Sequence, residues 1–236
     1  GRGRGGLVDE VKATLAGLNA MLGTVVGLIL ALSLAGSGQL WPLGIIVLVS
    51  IVGAALWAQV IEGSPMLLRP YGYFGSVGGV VLSGLAIGAG GGDAWLVLAA
   101  AGTGATVTQA VARLRCLVQG CCHGREAPEA VGIRYTHPRS RVVRMSTLGG
   151  VPVHPTPVYS MVSTLAVGAV MLRLWALGAP LQFIVGTYFI LVGLSRFVEE
   201  HFRGEPQTTE VAGLPLYQWL AIAFVVGGAA MTGLGA

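Results

Sequence analysis

Side chains able to do chemistry crowd into two short stretches of this sequence. The first, ARLRCLVQGCCHG (112–124), brings Arg113, Arg115, the thiols of Cys116, Cys121 and Cys122, and His123 to the end of a long apolar run. The second, GLSRFVEEHFRGE (193–205), holds Arg196, Glu199, Glu200, His201 and Arg203 within a few helical turns. A guanidinium makes two parallel hydrogen bonds to a phosphate, which an ammonium cannot imitate, and the chain has thirteen arginines against one lysine. Charge at a membrane boundary is costly and usually functional, so Arg113 and Arg196 are the leading candidates for holding an anion. The competing reading is arginine snorkelling to lipid headgroups. Arg196 and Glu200 are four residues apart, as are Glu199 and Arg203, so each pair shares a helix face. Glu200 is read as the carboxylate that orients Arg196 or takes a proton, and Glu199–Arg203 as a helix-end salt bridge.

The three thiols admit four readings. One could be a nucleophile, its pKa lowered by the nearby arginines. The cluster could bind a soft metal, although C-x4-C-C-H fits no common zinc spacing. A disulfide, 116–121 or 116–122, could staple the turn in an oxidising compartment. Small cysteines could also simply fill a tight glycine turn. Disulfide or packing outweighs the nucleophile, and no metal or other cofactor is expected. His154, before Pro155, suits either a general base titrating near neutrality or a hydrogen-bonded entry residue. Tyr71 fits an interfacial aromatic belt, whereas Tyr73 fits either the belt or a proton shuttle. His123 and His137 are weaker candidates, and His201 suits the helix C-terminus.

These groups need a scaffold, and the composition says which kind. Of 236 residues, 54% are hydrophobic and 10% charged, with mean hydropathy +0.76. Soluble domains carry about 25% charge. The 38 glycines suit helices packed closely in lipid, and the absence of alternating strand-length segments argues against a barrel. A polytopic all-α membrane protein is expected. About 20 apolar residues cross a bilayer core, and on that template seven helices fall at 15–36, 40–61, 74–91, 94–112, 157–177, 180–203 and 215–234. Residues 1–14 are expected to be a flexible lead with no signal peptide or lipobox cysteine, and 15–236 a single membrane domain. The long connection at 113–156 exceeds what a bundle loop requires. It reads as a small ordered extramembrane lobe with a short strand in AVGIRY (130–135).

Seven crossings place thirteen of the fourteen basic and nine of the ten acidic residues on one side. The positive-inside tendency would make that side cytoplasmic; arginines facing anionic headgroups would give the same asymmetry in either orientation. The basic pI of about 9.3 fits anionic lipid better than nucleic acid, because the charge sits at bilayer level.

The two stretches, with VHPTPVY (153–159) between them and LPLYQWLAI (214–222) after, resemble the bacterial prolipoprotein diacylglyceryl transferase family in order and spacing, over roughly residues 70–225. The resemblance implies seven spans, the bacterial inner membrane, a monomer, and transfer of a diacylglyceryl group from phosphatidylglycerol to a thiol of a lipoprotein precursor or another acceptor, with release of glycerol phosphate. Under it, Arg113 matches the signature arginine, Cys116 stands where asparagine is usual, Gly120 and Gly124 match glycines, and Cys121 replaces a glutamate. His154 and Tyr159 match the His-Pro…Tyr segment; Arg196, Glu200 and Arg203 match the set ending the sixth helix, and Gln218 the glutamine opening the last. The implied catalytic set is Arg113, Arg196, His154, Tyr73 and Glu200; Arg113, Gly120, Cys121, Gly124, Tyr159, Arg203 and Gln218 would bind substrate. Three departures stand out: Tyr73 or, on a shifted alignment, Gly75 stands at the family's histidine position, Val192 at that of a tyrosine, and Ser160 at that of a glutamate. A phospholipid-binding homologue without turnover and a cysteine-dependent thiol enzyme are the alternatives.

Overall fold

A computed structural model describes residues 21–61, 72–204 and 210–234. The lead expected at 1–14, Tyr71 and most of the break after the second helix lie outside the described residues. The described chain runs through α1 (Met21–Ala35), α2 (Leu40–Val60), α3 (Tyr73–Ala89), α4 (Ala94–Gln119), α5 (Arg141–Met145), α6 (Thr156–Ala176), α7 (Leu181–Phe202) and α8 (Leu216–Gly233). Five of them, α2, α4, α6, α7 and α8, are long and apolar enough to cross a membrane; α1 and α3 are apolar but shorter. The protein is an all-α polytopic membrane protein.

Local chemistry sets the boundaries that matter for the site. Asp93 caps α4, its carboxylate accepting the Leu96 N–H at 3.0 Å, as short acidic side chains do at N-termini. Prolines at 155, 180 and 215 stand immediately before α6, α7 and α8, where a missing N–H costs nothing. α4 was expected to end at residue 112 but continues to Gln119. Nothing in RLRCLVQ breaks a helix, and the stop comes at Gly120, whose φ of 66° is left-handed. Such a cap is the usual role of glycine after a helix. Arg113, Arg115 and Cys116 therefore ride on α4 itself.

α7 packs along α8, α2 along α3, and α4 against α6 and α7. Glycines permit the closest approach: a methyl added to Gly186 of α7 would sit 2.5 Å from the Gly228 carbonyl oxygen of α8. Bare backbone faces of this kind are how helices associate in lipid. The core between α4, α6 and α7 is built from Ala99, Val167, Met171, Ile184, Val185 and Tyr188. Within it Trp175 donates to the Thr103 hydroxyl at 3.0 Å.

The segment between α4 and α6 is ordered, as expected, but its strand is shorter. β1 (Ile133–Arg134) pairs antiparallel with β2 (Pro152–Val153), and α5 lies between them. The Tyr135 hydroxyl donates to the Leu117 carbonyl at 2.9 Å, fastening this lobe to the end of α4; burial pushes that phenol up to about 12. A second small hairpin, β3 (Glu210–Val211) with β4 (Leu214–Pro215), leads into α8.

Candidate functional site

On α7 the buried positions Val185, Phe189, Val192, Arg196 and Glu199 recur at alternating spacings of four and three. That is one helical face, and its last two members are charged. Glu199 is the hub. Its Oε2 accepts Arg196 Nη1 at 3.0 Å and the Ser160 hydroxyl at 3.0 Å. Its Oε1 accepts Arg203 Nη2 at 3.2 Å and faces Arg113 Nη2 at 3.7 Å. Three helices thus converge on one carboxylate: α4 through Arg113, α6 through Ser160 and α7 through its own arginines. Arg203 Nε also lies 2.9 Å from Glu200 Oε2, an ion pair by distance although that N–H is not aimed at the oxygen.

Arg196 and Glu199 are 8% and 5% exposed, so these charges act in a medium of low effective dielectric. Three guanidinium groups face two carboxylates, Glu199 and Glu200, and the Cys122 sulfur lies 3.6 Å from Arg113 Nη1 beside them. Burying a charge is costly unless it is paired; a cluster of guanidinium groups suits an anion.

The walls fit that use. Arg196 lies over the Tyr73 ring, 3.9 Å from its centroid. The Tyr73 hydroxyl is buried without a well-formed hydrogen bond, so it has donor and acceptor capacity to spare. Gln109 donates to the Tyr188 hydroxyl at 3.3 Å and turns its oxygen toward Arg196 Nη2 at 3.5 Å. A narrow cleft with room for about one water molecule opens beside these groups, lined by Gln109, Ser160, Thr164, Val192, Arg196 and Glu199.

The expected residues divide. Arg113, Arg196, Tyr73, Arg203 and Glu200 come together around the hub. The Glu199–Arg203 salt bridge forms as expected; Arg196 pairs with Glu199, and Glu200 also meets Arg203. Glu199 continues the buried face of α7 and Glu200 lies one residue further round. Gln218 donates to the Phe197 carbonyl at 3.2 Å, so it ties α8 to α7 and does not reach the hub. His154 points elsewhere: its Nδ1 is 3.0 Å from the Tyr159 hydroxyl and its ring stacks near Phe202. Sequence reasoning missed Gln109 and Ser160 as hub neighbours; Gln109 carries no signal beyond being polar in an apolar helix, and Ser160 stood out only for its place at the family's glutamate position.

Gly124 has a packing reason. It bridges to Arg203, its N–H donates to the His154 carbonyl at 2.9 Å, and a methyl there would sit 2.5 Å from the His154 Cβ. No larger residue would let the turn dock against the end of α7. Next to it, Cys122 lies 3.7 Å from Cys116 and 4.0 Å from Cys121, with Arg113 Nη1 3.6 Å from its sulfur. Contacts from the Cys116 and Cys121 thiols hold Cys122 well below the usual thiol range, and Arg113 and Arg203 add to this. Cys121 is pushed up by its contacts with the Cys116 and Cys122 thiols.

Burial, and then Arg125, lower the His154 pKa from its usual value. The folded state therefore binds fewer protons than the unfolded state just below pH 6.5, so stability is full above that pH and declines as pH falls toward the folded pKa. Melting followed from about pH 7.5 to about 5.5, one pH unit either side of the ordinary histidine value, should show this loss, and His154→Gln should flatten it. An unchanged profile in the variant would remove His154 as its cause.

The sequence matches the family described as "Prolipoprotein diacylglyceryl transferase" over residues 10–234. It is 28% identical over 182 residues to phosphatidylglycerol–prolipoprotein diacylglyceryl transferase 2 of Clostridium perfringens, covering 73% of this chain and 66% of that relative. It is 23% identical over 101 residues to phosphatidylglycerol–prolipoprotein diacylglyceryl transferase of Clostridium tetani, covering 43% of this chain and 38% of the relative. The chain thus spans just under two thirds of the first relative's length and a smaller part of the second. With a match running from before the first described helix to the end of the last, the chain belongs to the prolipoprotein diacylglyceryl transferase family.

Proposed function

We propose that this protein is a membrane-embedded transferase that moves a diacylglyceryl group from phosphatidylglycerol to a thiol acceptor. The observation that carries the reading is the cluster of three guanidinium groups, Arg113, Arg196 and Arg203, held around the buried Glu199 carboxylate. The names of the two relatives supply the donor lipid and the prolipoprotein acceptor; the hub supplies a place for the phosphate.

In this reading the lipid phosphate sits against Arg196 and Arg113. The acceptor sulfur attacks the glyceryl carbon, a C–S bond forms, and the C–O bond to phosphate breaks. The thiol proton goes to a base and the electron pair leaves with glycerol phosphate. Negative charge gathers on the leaving oxygen, where preorganised guanidinium groups stabilise it most. Glu199 holds the arginines in place and keeps them from scattering. Tyr73, stacked under Arg196, is the group best situated to move a proton where the family has histidine. His154 serves the turn, not the reacting atoms.

The test uses the full chain in phosphatidylglycerol nanodiscs with a cysteine-bearing lipoprotein-precursor peptide, glycerol phosphate being followed by mass spectrometry. Release by wild type, lost in Arg196→Ala, supports the transferase. Bound phosphatidylglycerol with no release would instead make this a phospholipid-binding homologue.

A further inference from the structure

Three thiols that the proposed transfer does not use meet at the end of α4. Cys122 Sγ lies 3.7 Å from Cys116 Sγ and 4.0 Å from Cys121 Sγ, and all three sulfur atoms fall within 4.8 Å of one another. The C-x4-C-C spacing does not announce this meeting. The backbone produces it: Cys116 stands in the last turn of α4, and left-handed Gly120 reverses the chain so that Cys121 and Cys122 fold back over that turn. The Thr156 hydroxyl, at the start of α6, bonds to the Cys122 carbonyl and fixes the reversal from the other side.

The separations have a chemical meaning. Around a cation with metal–thiolate bonds of about 2.3 Å, sulfur atoms stand about 3.8 Å apart in a tetrahedron and about 4.0 Å apart in a trigonal plane. The sulfur contacts of Cys122 already lie at those values, so two of the three edges need no backbone movement. The charge also balances. Three thiolates around a divalent cation leave one negative charge, and around a monovalent cation two. Arg113 Nη1, 3.6 Å from Cys122 Sγ, is in place to answer it. Thiolates without carboxylates select soft cations over magnesium or calcium.

We infer that Cys116, Cys121 and Cys122 form a binding site for one thiophilic d10 cation, Zn(II) or Cu(I), beside Arg113. As three metal–sulfur bonds form, the S–H protons pass to solvent. Use of the same thiols as a lipid carrier is the poorer chemistry: a diacylglyceryl group on sulfur is a thioether, and its C–S bond has no ready means of breaking again.

The experiment uses the full chain in detergent, reduced and then freed of reductant without air. Zn(II) is titrated against a chromophoric chelator, Cu(I) against a copper(I)-selective chelator, and Cd(II) by its thiolate charge-transfer absorption. One equivalent per chain is expected, with the absorption lost in Cys122→Ser and in the triple serine variant. A preference for zinc or for copper identifies the cation, and either supports the site. Wild type that binds no more metal than the triple variant would overturn it. So would one reactive thiol in the unfolded, unreduced chain in place of three, which would mean a native disulfide. Neither readout depends on lipid turnover, so this site stands or falls apart from the transferase reading.

Discussion

Glu199→Ala is expected to be the most damaging single substitution in the protein. It strips the shared partner from Arg196, Arg203 and Arg113 and leaves the Ser160 hydroxyl without its acceptor. Removing one side of a buried ion pair costs about 3–5 kcal/mol; here three cations lose the same anion at once. A fall in the unfolding midpoint on the order of 10 °C follows for a chain of this size, read by near-ultraviolet circular dichroism in detergent with phosphatidylglycerol. Glu199→Gln keeps an acceptor of the same shape without the charge and should fall between. A midpoint for Glu199→Ala within about 2 °C of wild type would mean that water already solvates the carboxylate, and the hub would lose its central role.

Arg196→Lys should be nearly as severe for turnover while sparing the fold more. The charge remains, but the planar group does not. Arg196 uses its plane against the Tyr73 ring and one nitrogen against Glu199, leaving its outer edge toward Gln109 and the cleft. Lysine has no plane to stack and no second nitrogen to offer a phosphate. Loss of one well-placed donor to a developing anion costs about 10²–10³ in rate, and glycerol phosphate release in nanodiscs should drop by that order. Retention of most of the rate in Arg196→Lys would reduce the recognition to a point charge.

Much of the scaffold was legible because lipid imposes a simple rule on sequence. The segments that became α2, α4, α6, α7 and α8 are apolar at spanning length, and proline and glycine mark their ends. The end of α4 was not legible, since the apolar run ends at residue 112 while only Gly120 has the backbone freedom to stop the helix. Residues 130–135 read as a strand, yet only Ile133 and Arg134 pair, because Pro152 and Val153 are all the partner offers. At the site, the arginines announced themselves by type. Glu199 and Glu200 did not sort themselves, because both lie within three or four residues of Arg196 and Arg203. What separates them is the face running from Val185 through Phe189 and Val192, a pattern present in the sequence but readable only once the buried side of α7 is known. The meeting of the three sulfurs depends on one left-handed glycine, and spacing carries no trace of that.

Arg113 holds Glu199 at 3.7 Å, a longer reach than either arginine of α7, and it is the charged link from α4 to that hub. In the proposed transfer, an arriving phosphodiester would meet a cation able to change partners: Arg113 would turn to the lipid while Glu199 keeps Arg196 and Arg203. The site would then act as an ion exchanger whose resident anion is built into the wall. Such an exchanger ranks guests by net charge as well as by shape. A zwitterionic headgroup brings its own ammonium, which would compete with the guanidinium groups for Glu199 and weaken the lattice that receives it. Phosphatidylglycerol, whose headgroup adds only hydroxyls, would draw on Arg113 and leave the rest intact. Discrimination between the two lipids would then arise from the counter-ion already present, without any residue that contacts the glycerol.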